Sequence, residues 1–248
     1  MADTAQFYTG LIAELYEPLA GSLVSAAPIK RFVQRYGTPA LELACGAGHP
    51  MLDLLSDGLQ VHGVDSSMDM LDLCRSKGAD MGLQPTLFCQ RMQDLALAEQ
   101  YRCCYFAGAS FCLLDDIDDA CATLAAVHRH IQPGGAFLIS LFRPQMEKQP
   151  SQVRRKIMAD GTTGTVRSIA QSENRQQQTV TTTLRYTHEQ DGKLLDAVER
   201  DWLTRWYTVK QMTDLLEAAG FDILRCTDYD GAAAEPSATD FSVVALAT

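Results

Sequence analysis

Between residues 40 and 142, short apolar runs alternate with helical stretches, and this alternation constrains the fold more than any other feature of the chain. Runs at 40–44, 60–65, 85–89, 103–108 and 136–142 have strand length, and the segments at 49–57, 68–77 and 115–131 carry apolar residues at helical spacing. A helix between two strands returns the chain to the same edge, so the strands run parallel. The expected fold is α/β, a doubly wound, mostly parallel sheet. At 248 residues the chain suits one such domain, spanning residues 1–248, with an elaboration.

The flanks are read from the same signals. Residues 5–35 place apolar clusters at helical spacing, broken by Pro18 and Gly21, which predicts two helices in an N-terminal cap over residues 1–38. After "PGG" (133–135) and the strand that follows, the rhythm breaks. From about 164 to 206 the pattern is β-rich with "DG" at 191–192 as a turn, which predicts an antiparallel β insert after the fifth strand, within residues 144–206. A helix at 208–219 stops at Gly220, and strands at 221–227 and 240–247 follow with no helix between them.

In a doubly wound sheet, ligands bind at the carboxyl ends of the strands near the point where strand order reverses. Gly46 and Gly48 stand there, at the end of the first strand, where a missing side chain lets backbone N–H groups approach a ligand. Asp65 ends the second strand, placed to accept hydrogen bonds from two ribose hydroxyls. Together they point to a nucleoside. A dinucleotide fingerprint needs a third glycine, but Met51 occupies that position, and Glu42 inside the strand would repel a pyrophosphate. Both features oppose an NAD-dependent oxidoreductase. A ligand carrying a sulfonium and an ammonium suits Glu42, which points to S-adenosylmethionine.

The stretch "ELACGAG" (42–48) resembles the first motif of the class I S-adenosylmethionine-dependent methyltransferases, acid-x-x-x-Gly-x-Gly. The acid ending "VHGVD" (61–65) and the helix-strand-strand ending extend the resemblance over almost the whole chain. It implies a Rossmann-like sheet of the class I type and a methyl transfer in line to N or O of a small-molecule acceptor. Glu42, Ala44 and Gly46 would border the methionine end, Asp65 the ribose, and Ser66 and Met70 the adenosine. "QRMQDL" (90–95) matches the stretch where an acid contacts the adenine amino group, but Arg91 takes the acid's place. Met92 and Gln93 are the favoured substitutes, with Asp94 as the alternative. Arg102 also stands where these proteins often carry an acid, and the two arginines keep open a non-catalytic, S-adenosylmethionine-binding regulatory protein.

The β insert resembles the lid of small-molecule N- and O-methyltransferases. Acceptor contacts are therefore expected from Ser110 and Phe111 in "FAGASF" (106–111), from Arg143, and from Trp206 and Tyr207. Tyr16, with Tyr8, is expected to fold over the cofactor. Each of these aromatic residues equally suits core packing or an interface between copies, such as a homodimer through the insert. Glu42 suits a buried ion pair, Asp65 a helix N-cap, and the two methionines core positions. His49 reads as a helix-start residue, and no side chain is assigned as catalytic. Bringing the reactants into attack geometry is the main demand on such an enzyme.

A net charge of −10 argues against a nucleic-acid partner, and no apolar run is long enough to span a bilayer. The first twenty residues carry Asp3, Glu14 and Glu17 and no basic region, so the expected location is cytoplasmic. Residues 143–210 hold twelve Lys/Arg against eight Asp/Glu, which permits an anionic acceptor or, more simply, a solvated β surface. The eight cysteines include no CxxC pair and no zinc spacing, so no metal is expected.

Overall fold

The computed structural model describes residues 7–19, 25–146 and 153–248. Two helices, α1 (Leu11–Leu19) and α2 (Ala26–Tyr36), precede the alternating core. That core runs β1 (Ala40–Leu43), α3 (Met51–Ser56), β2 (Val61–Asp65), α4 (Met68–Asp80), β3 (Thr86–Cys89), β4 (Tyr101–Phe106), α5 (Ile117–His130) and β5 (Ile131–Leu141). β6 (Arg154–Ile157), β7 (Thr163–Asn174), β8 (Thr179–Gln190) and β9 (Lys193–Arg205) form a separate antiparallel sheet. α6 (Val209–Ala218), β10 (Phe221–Thr227) and β11 (Phe241–Ala247) return to the main sheet.

The main sheet has the order β10-β11-β5-β4-β1-β2-β3, with β11 antiparallel to both of its neighbours and β1 through β5 parallel. Chain order reverses between β1 and β4, so the carboxyl ends of those two strands open a crevice between the loops that leave them. β1 is buried along its whole length, as a strand covered by helices on both faces must be. α2 buries Ile29, Phe32 and Val33, an i, i+3, i+4 stripe, against the face that also holds Met51, Leu54 and Tyr105. α5 is capped by Asp116, whose carboxylate accepts from the Asp118 backbone N–H at 2.8 Å.

Several boundaries differ from those read in the sequence. "PGG" lies inside β5, which starts at Ile131, because the strand passes an irregularity opposite Tyr101–Cys103 before the regular ladder resumes. α3 begins at Met51, with Pro50 as its N-cap. The antiparallel sheet includes β6, which the charged run around Arg154–Lys156 concealed.

His128 and His130 have structural surroundings. The His130 ring accepts from the Leu97 N–H through Nε2 at 3.0 Å, so its Nδ1 carries the proton and donates to the Ala126 carbonyl at 2.7 Å. His128 packs edge-on against Phe221 and lies under Gly220, where a Cβ would meet its Nε2 at 2.8 Å. Gly220 ends α6 with φ +92°, so both conformation and space call for glycine.

α1 lies between the two sheets. Ile12, Leu15 and Leu19 pack with Phe7, Val166 and Tyr186 of the antiparallel sheet, while Ala13 on another side meets Ala47 and Met70 of the main domain. The segment before α1 is tied down at both ends. Ser67 Oγ donates to the Tyr8 carbonyl at 2.5 Å, the Gly10 N–H donates to Asp69 at 2.6 Å, and Arg200 donates to the Phe7 carbonyl at 2.6 Å. Residues 7–19 thus form a cover held by α4 on one side and β9 on the other.

Candidate active site

The crevice at the carboxyl ends of the strands contains a cavity of about 220 Å³. Its walls come from the loop after β1 (Ala44–Ala47 and His49), the end of β2 (Asp65, Ser66), Met70 of α4 and the loop after β3 (Gln90–Gln93). The turn after β4 contributes Ser110, Leu113 and Leu114, Glu42 reaches in from β1, and Tyr8, Tyr16 and Glu17 close the cavity from the cover.

Glu42 is 1% exposed and its carboxylate accepts a hydrogen bond from Tyr105 Oη at 2.8 Å. The two residues are register partners on adjacent strands, which is why a hydroxyl is within reach. Burial pushes the Glu42 carboxyl up to about 8; the Tyr105 hydrogen bond acts against that and the nearby Asp65 charge adds to it. At neutral pH it is therefore largely protonated until a cation arrives. The buried Cys45 thiol is raised well above its ordinary range by desolvation, then by Asp65 and Glu42, so it is a neutral lining group and not a nucleophile.

Asp65 joins the first two loops. Its Oδ2 accepts from the Gly46 N–H and its Oδ1 from the Ser67 N–H, each at 2.8 Å. Burial raises its pKa against those backbone donors. The N-cap of α4 is Ser67, whose hydroxyl accepts from the Met70 N–H at 3.2 Å, so Asp65 does not cap the helix itself.

The two motif glycines serve different ends. Gly46 has φ +53° and faces the cavity, where a Cβ would meet only the Met70 methyl at 3.3 Å. Gly48 does not line the cavity, in contrast to the expectation. With φ +96° it turns toward the helices, where a Cβ would lie 2.7 Å from Cys74 Sγ and 2.8 Å from Leu52, so its smallness permits α3 and α4 to pack.

Ala44, Ser66, Met70, Met92, Gln93, Tyr16 and Ser110 come together on the cavity wall. Asp94 does not line it; this exposed carboxylate faces Arg91 at 4.0 Å. Arg102 is at the amino end of β4, beside Gly37 and remote from the carboxyl-end crevice, so it has no bearing on the site. His49 lines the cavity and pairs with Asp53 at 3.1 Å across one helical turn, as a helix-start residue does.

The expected acceptor residues divide. Phe111 and Tyr207 are core side chains, their rings 5.7 Å apart within the main apolar cluster, because the 3-10 turn Ser110–Leu113 directs Phe111 inward. Arg143 and Trp206 lie outside the cavity lining and contact one another. The Arg143 guanidinium stacks 4.3 Å over the Trp206 ring and bonds Glu173 at 2.5 Å, beside Trp202 stacked on Phe142. Sequence reasoning did not single out Tyr105, Ser67 or Glu17, since only strand register and the packing of the cover bring them to the site. Among the described residues no group of three His, Cys, Asp or Glu side chains is arranged to hold a metal ion.

Residues 40–135, the span that supplies every cavity-lining residue except those of the cover, match the family model of a methyltransferase domain. Over those 96 of its 248 residues the chain is similar to a methyltransferase domain. It is 25% identical over 141 residues to the cypemycin N-terminal methyltransferase of a Streptomyces species, a match over 55% of this chain and 57% of that relative. A methyltransferase structure from Clostridium acetobutylicum superposes with a TM-score of 0.73 at 18% identity, covering 95% of this chain and 97% of the other. A sugar N-methyltransferase from Streptoalloteichus superposes with 0.71 at 16% identity, covering 95% and 92%. At those identities the solved structures share the fold.

Proposed function

We propose that this methyltransferase domain moves a methyl group from S-adenosylmethionine to nitrogen or oxygen of a small-molecule acceptor, in the cytoplasm. The observation that carries the reading is the juxtaposition in one cavity of a buried carboxyl on β1, a carboxylate at the end of β2 and a glycine turn between them. This set fits a ligand with a cationic amino-acid end and a ribose, and it does not fit a pyrophosphate. In the assignment we favour, Glu42, Ala44 and Gly46 receive the methionine end, Asp65 the ribose, and Ser66, Met70, Met92 and Gln93 the adenine side.

Bound S-adenosylmethionine supplies a methyl carbon already activated by its positive sulfur. The acceptor's lone pair forms the new bond, the electrons of the broken carbon–sulfur bond stay on sulfur, and an amine or hydroxyl acceptor gives up a proton to water or a base. The chain's own task is positioning and exclusion of water. Tyr8 and Tyr16, packed edge-on with centroids 5.2 Å apart, cover the cavity and provide that exclusion. One similar protein is named as an N-terminal methyltransferase and one structural neighbour as a sugar N-methyltransferase, which favours nitrogen as the acceptor atom.

The test is incubation with S-adenosylmethionine and a panel of small amines, amino sugars and hydroxyl compounds, read by S-adenosylhomocysteine release and a product mass gain of one methylene. Turnover with one of these classes is expected. Tight cofactor binding with no turnover on any class would favour the regulatory reading. The acidic chain supports the absence of a nucleic-acid partner. Among the described residues no helix is long and apolar enough to cross a membrane.

Ile157, Ile169, Leu194 and Leu195 are exposed on the antiparallel sheet, and a second copy of the chain is the partner we propose for that apolar surface. Light scattering is expected to return twice the chain mass, and Leu194→Glu to reduce it to the monomer.

A further inference from the structure

The cavity wall has Arg91 where the resemblance places an acid, and the structure brings an acid up behind Arg91 and Gln93 from another element. Asp119, in the first turn of α5, accepts a hydrogen bond from Gln93 Nε2 at 3.0 Å through its Oδ2. The same oxygen lies 3.6 Å from Arg91 Nη2, which balances its charge. A carboxylate can only accept, so the Gln93 amide must present its NH2 end to Asp119, and this settles which end of the amide is which. The remaining polar atom of Gln93, Oε1, has no hydrogen-bond partner among the described residues, and Gln93 lines the cavity.

We infer that Asp119 is a positioning residue that holds the Gln93 amide with its oxygen available to a purine 6-amino group, making the pair selective for a 6-amino over a 6-oxo purine. The inference rests on the S-adenosylmethionine reading of the cavity. An amide alone presents a donor or an acceptor by turning over, and so distinguishes the two purines poorly. Fixed by a carboxylate, it accepts only: the amino group of adenine donates to it, whereas the oxygen of a 6-oxo purine would face it lone pair to lone pair. The acid's role is thus divided between a loop residue and a helix residue 26 positions later in the chain. Asp119 is suited to this because it lies at a helix N-terminus, where negative charge is stabilised.

The experiment is calorimetric titration of the full chain with S-adenosylhomocysteine and with S-inosylhomocysteine, the same molecule with oxygen in place of the 6-amino group. The wild type is expected to prefer the amino compound by at least about tenfold. In Asp119→Asn the amide is released, because an asparagine can donate as well as accept, and the preference is expected to fall to within about threefold. The Asp119 side chain is 39% exposed, so this substitution leaves the fold in place. Asp94→Asn, at an exposed carboxylate outside the cavity lining, is expected to keep the preference.

Equal binding of both compounds by the wild type, persistence of the preference in Asp119→Asn, or its loss in Asp94→Asn would each overturn the inference while leaving the cofactor reading intact. Failure of the wild type to bind either compound would overturn both.

Discussion

Asp65→Ala is expected to weaken S-adenosylmethionine binding by more than about a hundredfold, the size of effect that follows when a charge-assisted pair of hydrogen bonds to a ligand is lost. The loss has two sources. The carboxylate is the group we assign to the ribose, and it also holds the Gly46 and Ser67 N–H groups at 2.8 Å each, so its removal leaves two backbone donors without their acceptor and loosens the turn beside the methionine end. Asp65→Asn keeps one accepting oxygen and is expected to fall between the two. Calorimetry measures the affinity, and a thermal melt of each variant separates loss of the site from loss of the fold. Affinity within about threefold of wild type in Asp65→Ala would show that the ribose lies elsewhere.

Glu42→Gln is expected to change stability and binding in opposite directions. The folded chain holds the Glu42 proton up to about pH 8, whereas the ordinary carboxyl loses it near 4.5. Between those values the folded state binds more protons than the unfolded state, so stability falls as pH rises across that window and levels off above it. A difference of that size corresponds to several kcal/mol, and a glutamine, which keeps the Tyr105 hydrogen bond without a charge, removes the dependence. The cofactor-free variant is therefore expected to match wild type near pH 5 and to be more stable near pH 9, as followed by thermal melts at each pH.

Binding runs the other way. To face a cation, Glu42 must release its proton, so wild-type affinity for S-adenosylmethionine is expected to rise with pH toward 8, with the proton passed to buffer. The variant is expected to bind at least about tenfold more weakly at pH 8, having lost an ionic partner in a buried site. Its own pH profile lacks the Glu42 contribution. Calorimetry in two buffers of different ionisation enthalpy reads the proton directly. An identical pH profile in wild type and variant would mean that Glu42 does not meet the cationic end.

Much of the fold is legible in the sequence because its signals are local. The apolar runs of β1, β2 and β4, the helical stripe of α2 and the stop at Gly220 each depend on residues within one or two turns of each other. The carboxyl-end placement of Glu42, Gly46 and Asp65 follows from the same rhythm, since a residue at the end of a strand in a doubly wound sheet has one position available. β6 was concealed because its charged residues carry no apolar alternation, and the strand forms as the exposed edge of an existing sheet.

The sequence by itself determined the α/β rhythm, the antiparallel elaboration and the acid–glycine–acid arrangement of a nucleoside site. Only the tertiary structure decided which neighbours those residues meet: Tyr105 beside Glu42 by strand register, Gly48 against Cys74 and Leu52, Phe111 and Tyr207 in the core, and Asp119 behind Gln93. The physical reason is range. Periodicity and turn chemistry act between residues close in the chain, whereas the hydrogen bonds from Gln93 to Asp119 and from Tyr105 to Glu42 span 26 and 63 residues and exist only once the elements have packed.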